Sequence, residues 1–138
     1  MKPRYLHGLL DTSVVVELTD HIRTGQLPLE SEISSITLAE LSVGPLVAKT
    51  PQEQSARQSV LQLVEASFDP FPFDETSARV FGRVAAQLRN SGKKTQARAF
   101  DALIASVAIQ HELPLFTKNP QGFEGIDGLE VVVIDNKL

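Results

Sequence analysis

The chain has 138 residues, of which 42% are hydrophobic, and it contains no cysteine. A chain of this length and composition can bury a full core, and we expect residues 1–138 to form a single domain. The absence of cysteine excludes a disulfide framework, a thiolate metal site and a cysteine nucleophile. The formal net charge of −4 argues against a protein that holds nucleic acid by bulk electrostatics. This argument does not apply to carboxylates that surround a metal ion, because the ion reverses the local charge.

The N-terminal segment MKPRYLHGLL has no apolar run of signal-peptide length, and no later run approaches a membrane span. We therefore expect a cytoplasmic protein that does not associate with membranes.

The first third of the chain reads as two short strands with helices between them. Leu6–Leu10 is apolar and predicts the first strand. The next segment, DTSVVVEL, is ambiguous, because its valines favour a strand whereas Thr12 or Ser13 could cap a helix. Glu32–Thr37 predicts a second strand, followed by a helix over LAELSVG that Gly44 and the next proline break or redirect.

Two longer amphipathic helices are predicted in the middle. Thr50-Pro51-Gln52-Glu53 has the form of a capping box, and the helix that follows is expected to bury Ala56, Val60, Leu61, Val64 and Phe68. The segment DPFPF is a connection with room for a short strand. Asp74 is expected to cap the next helix, with a buried stripe of Ala78, Phe81, Ala85 and Leu88.

The last third contains the helix RAFDALIASVAIQH, a strand PLFT, a loop KNPQGFEGIDG and a final strand EVVVI. We expect the helix to bury a stripe of Phe100, Leu103, Ile104 and Val107. Short apolar strands that alternate with longer helices predict a three-layer α/β/α fold around a short, mainly parallel sheet.

In parallel α/β sheets, ligands bind at the carboxyl ends of the strands. Polar side chains lie at these ends of the predicted strands. Asp11 follows the first strand, Glu40 lies one turn beyond the second, and Thr117 and Asn119 follow the PLF strand. Asp101 lies near the start of a helix that could point at the same edge.

Four motifs, LLDTSVVV, ITLAELSVG, RAFDALIAS and PLFTKNPQGF, occur in this order over essentially the whole chain. In their order and spacing they resemble the PIN-domain ribonucleases, and specifically the VapC-type toxins of VapBC toxin–antitoxin pairs. The resemblance implies a single PIN domain over residues 1–138, cleavage of RNA at a cluster of acids that holds Mg²⁺ or Mn²⁺, a homodimer, and inhibition by a cognate VapB-type antitoxin.

Carried over by position, the resemblance implies that Asp11, Glu40 and Asp101 hold the metal and that Asn119 assists them. Ser13 and Thr117 match hydroxyls that flank the site in the family. Many relatives also have an aspartate before the phenylalanine of the last loop, where this chain has Gly122. That departure puts a second metal position in doubt, and we expect position 122 to point away from the metal.

The residue chemistry agrees with the resemblance. Mg²⁺ is bound through carboxylates and phosphate oxygens and not through thiolates, so a set of Asp, Glu, Asp and Asn suits it. Ala105 and Ala108 are expected to leave space around Asp101. Basic residues near Asp101 are candidate RNA contacts, although a solvated loop is the plain alternative; they are Arg89, Lys93, Lys94 and Arg98.

Other interpretations remain open from the sequence. Asp101 and Asp11 could be simple helix caps, Glu40 a solvated helix residue and Asn119 a turn residue. The first rival function is a catalytically impaired PIN-fold module that binds RNA or protein, which Asn119 and Gly122 favour. The second is a phosphohydrolase with Asp11 as nucleophile. Such enzymes usually have a second acid two residues later, where this chain has Ser13, and this difference argues against that function.

Overall fold

The computed structural model describes residues 5–93 and 98–135. A four-stranded sheet in the order β2-β1-β3-β4 lies at its centre, and every pair of neighbouring strands in it is parallel. The strands are β1 (His7–Leu10), β2 (Glu30–Glu32), β3 (Leu115–Thr117) and β4 (Val131–Val133). The helices are α1 (Thr12–Val15), α2 (Leu18–Thr24), α3 (Ser35–Val43), α4 (Pro51–Ser67), α5 (Glu75–Asn90) and α6 (Ala99–Gln110), with 3-10 helices at Gly44–Val47 and Pro120–Phe123.

The sheet separates two hydrophobic cores, because successive residues of a strand point to opposite faces. Leu9 and Leu115 contribute to a core with α5 and α6. Leu10 and Phe116, their neighbours in β1 and β3, contribute to a second core with residues of α1 to α4. Helices therefore cover both faces, and the predicted three-layer α/β/α architecture with a parallel sheet is confirmed.

The second strand is shorter and earlier than predicted. It ends at Glu32, and α3 begins at Ser35, so the last residues predicted as strand are helical. The cause is Ser34, whose hydroxyl accepts a hydrogen bond from the backbone N–H of Thr37 at 3.2 Å and caps the helix. Ser34 also forms an isolated parallel bridge with Phe71. The short strand for which DPFPF has room is reduced to this single bridge.

The ambiguous segment DTSVVVEL is helical. Asp11, and not Thr12 or Ser13, lies at the N-cap position of α1, and its side chain makes no capping hydrogen bond. The carboxylate of Asp11 is therefore left for other partners.

The predicted caps of α4 and α5 are confirmed. The Thr50 hydroxyl accepts from the backbone N–H of Glu53 at 3.0 Å, and Asp74 forms a capping box with Ser77. The predicted buried faces are partly wrong: Val64 is buried in α4, but Ala56 is exposed. In α5 the buried residues are Ser77, Val80, Val84 and Leu88. Ala78 is exposed because packing against α6 selects the face one residue before the predicted stripe.

In α6, Ile104 and Val107 are fully buried as predicted, but Phe100 is 56% exposed and Leu103 is only partly buried. The helix packs against both α5 and α3, so much of its buried surface consists of small residues that permit close approach. They are Ala102, Ala105, Ser106 and Ala108. None of the helices in the described ranges is both long and apolar enough to cross a bilayer.

Candidate metal centre

Asp11 lies at the carboxyl edge of the sheet, directly after β1, and is 5% exposed. Its backbone N–H donates to the carbonyl of Phe116 at 2.9 Å, so the residue is held against the end of β3. The hydroxyls of Ser13 and Thr117 both donate to its Oδ2, each at 2.8 Å. Both residues that the sequence placed beside the first acid therefore contact it directly. In the described part of the chain no side chain donates to Oδ1, which leaves that oxygen for a ligand.

The same two hydroxyls also fix the start of the following loop. Ser13 Oγ accepts the backbone N–H of Lys118 at 3.1 Å, and Thr117 Oγ1 accepts that of Asn119 at 3.0 Å. Because each hydroxyl donates to Asp11 while accepting from the loop, the orientation of both is determined. The loop after β3 is thereby tied to the carboxylate.

Glu40 lies in the second turn of α3, and Thr12 connects it to the end of β1. The Thr12 hydroxyl lies 2.7 Å from Glu40 Oε1 and 3.0 Å from Thr37 Oγ1. Burial raises the pKa of Glu40, the hydrogen bond from Thr12 opposes that rise, and the negative charge of Asp11 adds to it. From the sequence, Thr12 is predicted only as a candidate helix cap, and its position beside Asp11 is the one local signal of this second role.

Asp101 lies in the first turn of α6 and is partly buried. Burial and, after it, the charges of Asp11 and Glu40 raise its pKa, which Arg98 lowers, and the net effect is a rise from 3.8 to about 6. No residue of the ranges 5–93 and 98–135 forms a hydrogen bond with this carboxylate. Three acids from β1, α3 and α6 thus share one electrostatic environment.

Position 122 faces this cluster, contrary to the expectation that it points away. A Cβ placed on Gly122 would overlap Asp101 Oδ2 and lie 3.2 Å from Asp101 Cγ. Ala105 and Ala108, which were expected to leave space around Asp101, are fully buried in the core with α5, and their effect on Asp101 stays a prediction. At position 122, in the 3-10 helix at Pro120–Phe123, the absence of a side chain leaves room for the Asp101 carboxylate.

Asn119 is exposed at the N-cap of that 3-10 helix, and its side chain forms no capping hydrogen bond. Its backbone N–H donates to Thr117 Oγ1, and the role of its side chain in metal binding remains a prediction.

The candidate RNA-binding residues have different environments. Arg89 is exposed in the last turn of α5. Lys93 approaches Glu124, with its Nζ 3.5 Å from Oε2. Arg98 is partly buried, and its Nη1 is buried without a hydrogen-bond partner in the described chain. Lys94 lies outside the described residues.

The donor chemistry of the cluster fits a hard divalent cation, because every contributing group is a carboxylate, and those of Asp11 and Glu40 accept hydrogen bonds from hydroxyls. No three acidic or histidine side chains in the described ranges stand close enough together to enclose an ion. Mg²⁺ normally keeps several waters and binds one or two carboxylates together with substrate phosphates. An open set of acids with a free Oδ1 on Asp11 meets that requirement.

A cleft of about 470 Å³ opens beside the acidic cluster, between α1, α3 and α4. Glu40 and Thr12 form its border with the cluster, and the rest of its wall is largely apolar. Its lining residues are Thr12, Val16, Glu40, Leu41, Gly44, Ala56, Arg57 and Val60. Nearby exposed apolar residues include Leu46, which is 84% exposed, and Val47, which is 59% exposed.

The family model for the PIN domain matches residues 8–129. The chain is 34% identical to Ribonuclease VapC5 of Mycobacterium tuberculosis over 129 residues, covering 92% of this chain and 93% of that protein. It is 27% identical to Ribonuclease VapC1 of Rickettsia felis over 132 residues, covering 94% and 97% of the two chains. Its fold is similar to the crystal structure of VapBC-5, a member of the VapBC family of toxin–antitoxin systems from Mycobacterium tuberculosis. The TM-score is 0.80 and the sequence identity is 30%, and the match covers 94% of this chain and 99% of that chain. The chain therefore belongs to the PIN-domain family and, within it, to the VapC ribonucleases.

Proposed function

We propose that this protein is a metal-dependent endoribonuclease that acts as the toxin of a type II toxin–antitoxin pair. The observation that carries the proposal is the placement of Asp11, Glu40 and Asp101 at one edge of the sheet, where burial and mutual repulsion raise the pKa of Asp101. Structural acids are normally paired with a cation or solvated, so partly buried carboxylates that repel one another are the kind of arrangement that functional sites contain.

In this proposal Asp11, Glu40 and Asp101 hold Mg²⁺ or Mn²⁺, and Asn119 assists. The ion, when bound, lowers the pKa of a coordinated water and neutralises charge on the scissile phosphate. Asp11 presents Oδ1 while Ser13 and Thr117 hold its Oδ2. Thr12 orients Glu40 in the same way. Asp101, which has no such support, is partly buried and contributes its negative charge to the approach of the ion.

The positive charge required to hold RNA comes from the side of the cluster that contains Arg98. Its guanidinium lies close enough to Asp101 to lower the pKa of that acid. Arg89, Lys93 and Lys94 are proposed to extend this contact along the RNA backbone. Lys93 is proposed to exchange Glu124 for a phosphate, since an ion pair of partly exposed groups is weak.

The regulatory partner in this proposal is a VapB-type antitoxin. The cleft beside Glu40 supports it, because an amphipathic segment could place apolar side chains against Val16, Leu41 and Val60 while a basic side chain reaches the acids. The related VapBC-5 structure is named as a member of a family of toxin–antitoxin systems.

We further propose that residues 1–138 act as one domain, as a homodimer and in the cytoplasm. Exposed apolar residues outside the cleft support self-association: Leu6, Ile22 and Leu29 are 73%, 62% and 57% exposed. Analytical ultracentrifugation at several concentrations tests the dimer.

A catalytically impaired PIN-fold module that binds RNA or protein is the second candidate. The observation in its favour is that no three acids of the described ranges already enclose an ion. The two candidates differ in one property, the cleavage of RNA on addition of a divalent metal.

Sequencing of new RNA 5′ ends after expression of the protein tests the proposed function. Cells expressing the wild type are compared with cells expressing Asp11→Asn, Glu40→Gln or Asp101→Asn, and with cells expressing the control Asp69→Asn, which changes an exposed aspartate outside the cluster. The proposal requires discrete new ends in the wild type and the control and their absence in all three cluster variants. Ends that persist in the cluster variants, or that do not depend on Mg²⁺ or Mn²⁺ with purified protein, contradict it.

A further inference from the structure

Phe100 is an aromatic residue that lies exposed beside the acidic cluster. It is 56% exposed, whereas the other phenylalanines of the chain are buried or partly buried. Tyr5 is 40% exposed, but its ring packs edge-on against Phe116 and its hydroxyl donates to Glu130. In the described part of the chain, Phe100 therefore presents the most open aromatic ring.

Neither local structure nor core packing accounts for a phenylalanine at this position. Phe100 lies in the first turn of α6, and phenylalanine is a poorer helix former than leucine, lysine or glutamate. It belongs to neither hydrophobic core, and no aromatic ring of residues 5–93 and 98–135 stacks on it. A single exposed apolar side chain is ordinary by itself, so what distinguishes Phe100 is its position.

That position is next to the third acid of the cluster. Asp101 follows directly, so the two Cα atoms are about 3.8 Å apart and the two side chains leave the helix about 100° apart. Arg98 lies at the N-cap position, and its charge lowers the pKa of Asp101. Its Nη1 is buried and has no hydrogen-bond partner among the described residues. The start of α6 thus places a carboxylate, a guanidinium and an open aromatic ring side by side.

These groups match the phosphate and the base of one nucleotide. An ion held by Asp101 attracts the phosphate, and the guanidinium of Arg98 donates hydrogen bonds to its oxygens. Unpaired RNA bases stack on aromatic side chains. We propose that Phe100 stacks against an RNA base next to the scissile phosphate and holds that nucleotide while its phosphate reaches the acids. The inference deepens the proposed function, on which it rests for the nature of the substrate.

A cycle of protein and RNA changes tests this contact. The probe is a short unstructured RNA of mixed sequence, together with copies that each lack one base. All titrations use the Asp11→Asn background with Mn²⁺, so that the RNA stays intact. Loss of one stacking contact lowers affinity on the order of 10- to 100-fold, and we expect one abasic position to produce this loss. Phe100→Ala should lower the affinity for the intact RNA equally and remove the sensitivity to the missing base.

Further variants separate stacking from other effects. Phe100→Trp keeps an aromatic face and should retain RNA affinity, whereas Phe100→Leu keeps an apolar side chain and should bind like Phe100→Ala. The matched control is Leu63→Ala, at an apolar position of α4 that is 45% exposed and lies outside the acidic cluster; it should bind RNA like its parent. Mn²⁺ titration of Phe100→Ala in the otherwise wild-type protein, without RNA, should match the wild type, because the Asp101 carboxylate is retained.

Several results overturn the proposal. They are a Phe100→Ala protein that binds RNA like its parent, a parent whose affinity no missing base lowers, and a Phe100→Leu protein that restores binding. Unchanged RNA affinity together with a weaker dimer in ultracentrifugation assigns the ring to an interface between two copies of the chain, and the proposal is then wrong. Failure of the wild type to cleave any RNA contradicts the proposed function, whereas a base-dependent loss in the cycle still supports the contact of Phe100 with RNA.

Discussion

Replacement of Asp101 by asparagine should stabilise the metal-free protein at neutral pH. Asp101 is partly buried beside Asp11 and Glu40, which raises its pKa from 3.8 to about 6. Because its folded-state pKa lies above its unfolded-state value, the stability linked to this group is fully present below pH 3.8 and is lost as the pH rises through about 6. Each pKa unit corresponds to about 1.4 kcal/mol, so the shift of roughly two units sets an upper limit of about 3 kcal/mol.

Asp101 is only partly buried, so solvent screening reduces the expected gain to about 1–2 kcal/mol. The attraction of Arg98 is already included in the raised pKa. Urea unfolding with a chelator at pH 7.5 and at pH 4 measures it. The gain of Asp101→Asn over wild type should be present at pH 7.5 and nearly absent at pH 4. Asp69→Asn, at an exposed position, should show no such difference. A destabilised Asp101→Asn protein at pH 7.5, or an equal gain at both pH values, would refute the reasoning.

Three further predictions concern the same edge of the sheet. Mn²⁺ should raise the melting temperature of the wild type by mass action, and the rise should be largely absent in Asp101→Asn; an unchanged melting curve of the wild type at millimolar Mn²⁺ would argue against the site. Thr117→Ala removes the 2.8 Å hydrogen bond to Asp11 Oδ2 and should lower Mn²⁺ affinity about tenfold. The control Thr50→Ala removes the cap of α4; it should lower the free energy of unfolding by about 1 kcal/mol and leave Mn²⁺ affinity unchanged. Asn119→Asp adds a carboxylate and should tighten Mn²⁺ binding without RNA; equal titrations of the variant and the wild type would identify residue 119 as a turn residue.

Much of the molecule follows from local patterns. The apolar strands at His7–Leu10 and Leu115–Thr117 are recognisable because both faces of a parallel sheet are buried, so their sequences are continuously apolar. Thr50 and Asp74 are recognisable as helix caps because a side-chain oxygen three residues before a backbone N–H is a local contact. The acids were found by their place after the strands, since parallel strands bring their carboxyl ends to one edge.

Other features depend on contacts between residues that are distant in sequence. Phe100 has the spacing of a buried stripe, yet it is exposed, and the small residues Ala102 and Ala105 are buried where α6 packs closely against neighbouring helices. The Ser34 cap ended β2 early, where the β-branched residues that follow favoured a strand. In both cases the spacing allowed two structures and packing selected one.

The sequence by itself therefore determined the fold class and the order of the main elements, because these depend on periodicity and on short-range hydrogen bonds. The candidate acids were predicted from their positions and from the family resemblance. Only the tertiary structure decided how those acids are held. The contact of Thr117 with Asp11 joins segments from opposite ends of the chain, and the loop after β3 brings position 122 against Asp101 of α6. Their directions are set by how α1, α6 and the loop after β3 pack against the sheet.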